Sequence, residues 1–126
     1  MRLVDIHTTE QPQALFQQCF AAMQRAGFKI TTTAAGWKMK CRRPLPAITP
    51  GARSTGHEVD VEVLVTRYTT STVAGACVRF VRQDPAAVAP NATVAVALAD
   101  DFEQLCDELA EWSEKRGSLV QIVKQR

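Results

Sequence analysis

Between Glu58 and Tyr68 the chain alternates with a period of two, Val59, Val61, Val63 and Val65 against Glu58, Asp60, Glu62 and Leu64. That is the pattern of a strand with one buried face. The same period marks Trp37–Arg42, where Trp37, Met39 and Cys41 face one way and Lys38, Lys40 and Arg42 the other. Shorter runs at Arg2–Thr8, Phe28–Thr32 and Val73–Arg82 also read as strands, the last with Ala76, Val78 and Phe80 on one face. Ala34-Ala35-Gly36 and Thr69–Thr72 supply turns between them.

Two segments carry the helical period. Thr9-Glu10-Gln11-Pro12 offers a cap, an early acid and a first-turn proline, which together start a helix. Leu15, Phe16, Cys19, Phe20, Met23 and Ala26 then form one apolar stripe, and Gly27 is the expected stop. A second helix is expected from Asp100, which stands three residues before Glu103 as in a capping box. Its stripe is Phe102, Leu105, Cys106, Leu109 and Trp112, and it ends at Lys115-Arg116-Gly117. Thr93–Leu98 reads equally as an extra strand or as a lead-in to that helix.

The order is strand, helix, four strands, helix. Each helix has one stripe to bury and hairpin connections dominate, so the economical packing is an α+β fold. It is a single antiparallel sheet with both helices packed on one face. The domain is expected to span residues 1–117, with 118–126 as a C-terminal tail or weak strand. Pro44 to Gly56, with three prolines and two glycines, reads as a loop.

At 126 residues, 46% hydrophobic and 22% charged, the composition is that of one globular domain. No apolar run approaches the ~20 residues that cross a bilayer, and the N-terminus lacks a signal-type apolar stretch. A cytoplasmic setting follows as the expectation. Cys19, Cys41, Cys77 and Cys106 form no C-x-x-C and stand at no ligand spacing from His7 or His57; they read as free, buried thiols. The net charge is only +2, but its distribution is uneven. Every charged residue from Arg25 to Arg53 is basic, and every one from Asp100 to Glu114 is acidic.

Three pieces of sequence carry a resemblance: Thr8-Thr9 before the first helix, Gly36–Arg42 with its alternation and closing Cys41, and Cys77-Val78-Arg79-Phe80-Val81-Arg82. In this order, with a last helix containing Phe102 and Leu105-Cys106, they resemble the kinase-associated-1 domain. That domain closes the C-terminus of microtubule-affinity-regulating kinases and related serine/threonine kinases. The resemblance runs from about Arg2 to Trp112. It implies a non-catalytic regulatory domain that binds anionic phospholipid through a basic face. Autoinhibitory contact with the kinase catalytic domain, or a hold on a partner subunit, is also implied. Arg79 and Arg82 match basic positions of the family's "VRFKR" strand, and Val81 stands where the family has lysine.

Read from the residues, the best candidate site is the outward row Lys38, Lys40 and Arg42, with Arg43 just beyond; Arg79 and Arg82 extend it if their strand lies near. Side chains two apart on a strand share a face and can meet one flat anionic surface. At roughly 1 kcal/mol per basic residue, four contribute on the order of 4 kcal/mol. The membrane surface is therefore one expected partner, with peripheral rather than spanning attachment. The alternative is a protein-interaction domain that docks a kinase domain or partner subunit without lipid, through residues 83–99 or the C-terminal tail. Nucleic acid fits poorly, because no exposed aromatics interleave the basic residues. No catalytic motif, metal constellation or cofactor-binding loop is visible. Glu58, Asp60 and Glu62 share a strand face and read as its solvent side, able to pair with the basic row.

Overall fold

In the computed structural model, residues 2–32, 36–44, 58–70, 72, 74–82 and 92–125 are described. The elements are β1 (Arg2–Thr8), α1 (Pro12–Arg25), β2 (Lys29–Thr32), β3 (Lys38–Pro44), β4 (Glu58–Thr69), β5 (Ala74–Arg82), α2 (Ala92–Lys115) and β6 (Leu119–Gln125). The strands form one antiparallel sheet in the order β2-β3-β4-β5-β1-β6. Helix α1 carries the chain from β1 to the far edge. Three successive antiparallel pairings return it to β1, and α2 then leads to β6 on the other side of β1. The α+β layer pair expected from the sequence is the fold observed.

The alternation decides which face is covered. Val4 and Ile6, Met39 and Cys41, Val61, Val63 and Val65, and Ala76, Val78 and Phe80 all lie in one core. Leu15, Cys19, Ala22 and Met23 of α1 and Phe102, Leu105, Cys106, Leu109 and Ala110 of α2 pack into the same core. Both helices therefore lie on one face. At about 25 cal/mol per Å² of apolar surface buried, this cluster is the main source of stability.

Two helix boundaries differ from the sequence reading. Pro12 does occupy the first turn of α1, but the N-cap is Gln11 and no side chain bonds the cap. Thr8 is engaged instead. Its buried hydroxyl donates to the Ala76 carbonyl (2.9 Å) and accepts from the Glu10 N–H (3.2 Å). Glu10 is buried and accepts from Arg116 Nε at 2.7 Å, tying the start of α1 to the end of α2. Helix α2 begins at Ala92, not at Asp100. The run 93–98 thus forms the first turns of the helix although Thr93, Val94 and Val96 are weak helix formers, and the Asp100–Glu103 pair lies inside the helix.

Residues 118–126, expected as a tail or weak strand, contain β6, paired with β1 through a shift in register between His7 and Thr8. Gly27 and Gly117 follow the two helices with φ of 86° and 71°, the left-handed stop that glycine takes without strain. Gly75 is needed for a different reason. A Cβ there would approach Thr9 Cα to 2.7 Å and the Thr8 carbonyl carbon to 2.9 Å. Of the loop expected from Pro44 to Gly56, Pro44 is the last residue of β3, while residues 45–57 and 83–91 lie outside the described residues.

Candidate functional site

The face of the sheet opposite the helices carries the candidate site. Register places Lys29 beside Arg42 and Arg42 beside Asp60. One row further in, Thr31, Lys40, Glu62 and Val81 follow one another across β2, β3, β4 and β5. The next row is Lys38, Leu64, Arg79 and Asp5. Lys38, Lys40 and Arg42 therefore share one face, as the alternation predicts, and Arg79 lies on it two strands away from Lys38.

Carboxylates of β4 answer this basic row. Arg42 Nε donates to Asp60 Oδ1 at 2.8 Å, while Lys38 and Lys40 stand 4.0 Å and 3.9 Å from Glu62 Oε1. All these groups are solvent-exposed to a large degree, and such pairs contribute about 0–1 kcal/mol each. Arg79 is held more firmly, donating from Nε and Nη2 to the two Asp5 oxygens at 2.8 and 2.9 Å. That bidentate bond, with the Asp5 charge, raises the Arg79 pKa above its ordinary value. Among the described side chains of the β2–β3–β4 corner, four cations (Lys29, Lys38, Lys40, Arg42) thus face two carboxylates. Around them runs a groove of about 510 Å³ lined by Lys29, Thr31, Lys40, Arg42, Asp60 and Glu62. Beyond it the face turns apolar at Leu64, which is 36% exposed.

Two residues of the expected site lie elsewhere. Arg43 is one step out of phase with Arg42, so it points to the helix layer. Its guanidinium sits 4.5 Å above the Phe28 ring, donates to the Ala26 carbonyl at 2.8 Å, and pairs with Asp101 of α2. Burial lowers its pKa from the ordinary value. Arg82 shares the phase of Phe80 and is likewise turned inward, 6% exposed and stacked 5.0 Å over Phe102. Both are structural cations of the helix layer, and the open face keeps Lys38, Lys40, Arg42 and Arg79. Lys29, which the sequence reading left out of the site, joins them because β2 pairs with β3.

The thiols take no part in this face except Cys77, which lies under a T-shaped His7–Tyr68 pair with ring centroids 5.3 Å apart. Its sulfur is 4.0 Å from His7 Nε2. All four cysteines are buried thiols outside any disulfide. Burial pushes the Cys41 thiol up to about 12 and Cys77 to about 11. For Cys19 burial and the neighbouring Cys41 and Cys106 push higher still. Such thiols are protonated, weak nucleophiles at neutral pH. Among the described residues no helix is long and apolar enough to cross a membrane.

Compared with models of protein families and with curated proteins, the chain matches none.

Proposed function

We propose that the chain is a non-catalytic docking domain that engages an anionic phospholipid surface through the open face of its sheet, in the service of a protein kinase. The observation that carries the docking reading is the β2–β3–β4 corner. There Lys29, Lys38, Lys40 and Arg42 share one face that no described element covers, answered among the described side chains by Asp60 and Glu62 and next to exposed Leu64. Charge beside apolar surface suits the boundary of a membrane better than either alone. The link to a kinase rests on the resemblance to the kinase-associated-1 domain.

The excess of two charges is worth about 2 kcal/mol at an anionic leaflet. That is half of the sequence-based figure: Lys29 takes the place of the inward-turned Arg43, and the two carboxylates that share the corner make the difference. Such a surface gives reversible recruitment, strengthened by whatever else the protein attaches to the membrane. The test is co-sedimentation with phosphatidylserine vesicles, with phosphatidylcholine vesicles as control. Binding is expected only to the anionic vesicles, weakening as salt shortens the Debye length from ~10 Å at 0.1 M. The triple variant Lys38→Glu, Lys40→Glu, Arg42→Glu should abolish it. Unchanged vesicle binding by a folded triple variant would overturn the assignment.

A further inference from the structure

The sheet ends at β6, and among the described residues no strand pairs with its outer side. An open edge presents a row of unpaired N–H and C=O groups, which natural sheets blunt with charge, proline or shortness. This edge is little blunted. It is seven residues long, contains no proline, and has Lys124 as its one charged residue. Lys124 leans toward the helix layer, its ammonium 3.6 Å from Asp107 Oδ1. Val120, the extra residue where the register with β1 shifts, and Ile122 are 47% and 39% exposed. They line a depression of about 440 Å³ with Gly117 and Glu114 at the end of α2.

We infer that β6 is the interface for a second copy of this chain, paired antiparallel across a two-fold axis normal to the sheet. The sequence of β6 is complementary to itself in that arrangement. Centred on Gln121, the pairing sets Val120 of each copy opposite Ile122 of the other, so both exposed apolar side chains are covered twice over. Lys124 of the second copy then falls opposite Ser118, beside Gly117 and within reach of Glu114. Each lysine meets an acidic group of the other molecule as well as its own Asp107. A C2 contact needs this kind of self-complementarity, in which the same patch serves both partners. The axis keeps faces together: the four helices lie on one side of a twelve-stranded sheet, and both open faces look the other way. The pairing does not rest on the lipid reading. If both hold, two basic corners meet one membrane at once.

A single strand pair with two apolar contacts is smaller than the ~1,200 Å² at which standard interfaces begin, so the dimer is expected to dissociate on dilution. Sedimentation velocity across a concentration series reads this directly. The wild-type chain should pass from one to two chains as concentration rises. Ile122→Lys, at an exposed position and with an unchanged circular dichroism spectrum, should remain monomeric throughout. Glu114→Lys or Lys124→Glu should each move the midpoint to about four- to twenty-five-fold higher concentration, since each removes two symmetric exposed ion pairs. Combining the two exchanges should recover most of that loss. A wild-type chain that is monomeric at every concentration overturns the inference, whatever else its edge then binds. So does an Ile122→Lys variant that dimerises as well as wild type, or a charge exchange with no recovery.

Discussion

Glu62 offers a sharper test of the open face than removal of its lysines, because its loss should strengthen binding. Its carboxylate lies 4.0 Å from Lys38 Nζ and 3.9 Å from Lys40 Nζ, and all three side chains are well exposed. In water two unit charges at ~4 Å attract by about 1 kcal/mol before entropy and screening, and exposed pairs retain 0–1 kcal/mol of that. Glu62→Gln should therefore change folding stability by less than ~1 kcal/mol. At a membrane the effect runs the other way. Neutralising Glu62 adds one net positive charge to the corner, worth about 1 kcal/mol at an anionic leaflet, or roughly fivefold tighter vesicle binding. The assay is a vesicle titration at low salt, repeated at higher salt, where the gain should shrink. Glu111→Gln is the control. It makes the same change in net charge on the exposed side of α2, away from the open face, and should leave binding as it was. A folded Glu62→Gln variant that binds no more tightly refutes the reasoning. Equal gains from both variants would also refute it, since overall charge rather than this face would then govern attachment.

Arg43→Ala should destabilise the fold by about 2–3 kcal/mol in urea unfolding, the range for losing a partly buried charge-assisted bond, because it strips partners from Asp101 and the Ala26 carbonyl. Lys40→Ala, one strand phase away, should cost under ~1 kcal/mol; equal losses would contradict the division of faces. The buried thiols should resist iodoacetamide at pH 8 in the folded chain and react at all four positions in denaturant; rapid labelling of Cys41 in the native state would count against its burial. Unfolded thiols ionise near their ordinary value of 9.0, while Cys77 and Cys41 stay protonated to about 11 and 12. Unfolding thus releases protons above pH ~9, so their contribution to stability is complete below that and falls as pH rises toward 11 and 12, as urea midpoints at several pH values can measure. Gly75→Ala should destabilise by at least ~1–3 kcal/mol, since the added Cβ meets backbone of Thr8 and Thr9; an unchanged midpoint would show that the β5–β1 crossing can yield.

The sheet and its covered face were legible because the period of two in β3, β4 and β5 survives intact into the packing. Met39, Cys41, Val61, Val63, Val78 and Phe80 lie where alternation puts them. Arg43, expected in the site for its nearness to Arg42, and Arg82, expected there for its match to the kinase-associated-1 strand, obey that same alternation, whose phase sends both inward. What sequence could not supply was anything set by distant chain. Lys29 joins the site only through the pairing of β2 with β3. Leu119–Gln125 becomes a strand only because β1 has a free side, and its register shift blurs the alternation that would mark it. The start of α2 is hidden for a local reason: Asp100 and Glu103 fit a cap, and the β-branched Thr93, Val94 and Val96 before them fit a strand as well as the helix they form.

The separation of charge along the chain also acquires a physical meaning in the fold. Basic residues from Arg25 to Arg53 and acidic ones from Asp100 to Glu114 are far apart in sequence, yet α1 and β3 bring part of each set together. Arg25 bonds Glu108 at 2.7 Å, and Arg43 pairs with Asp101. Those two pairs tie α2 to α1 and to the end of β3, so the opposed signs serve first to hold the helix layer onto the sheet. The cations out of phase with Arg43 cannot reach α2 from the other side of the sheet. Among the described side chains they find Asp60 and Glu62, and an excess of positive charge stays at the β2–β3–β4 corner. Strand phase thus sorts one basic run into a cohesive half and an outward half. Substitutions of Arg43 and Arg42 would therefore act separately, the first on the hold between helix layer and sheet and the second on the charge of the open face.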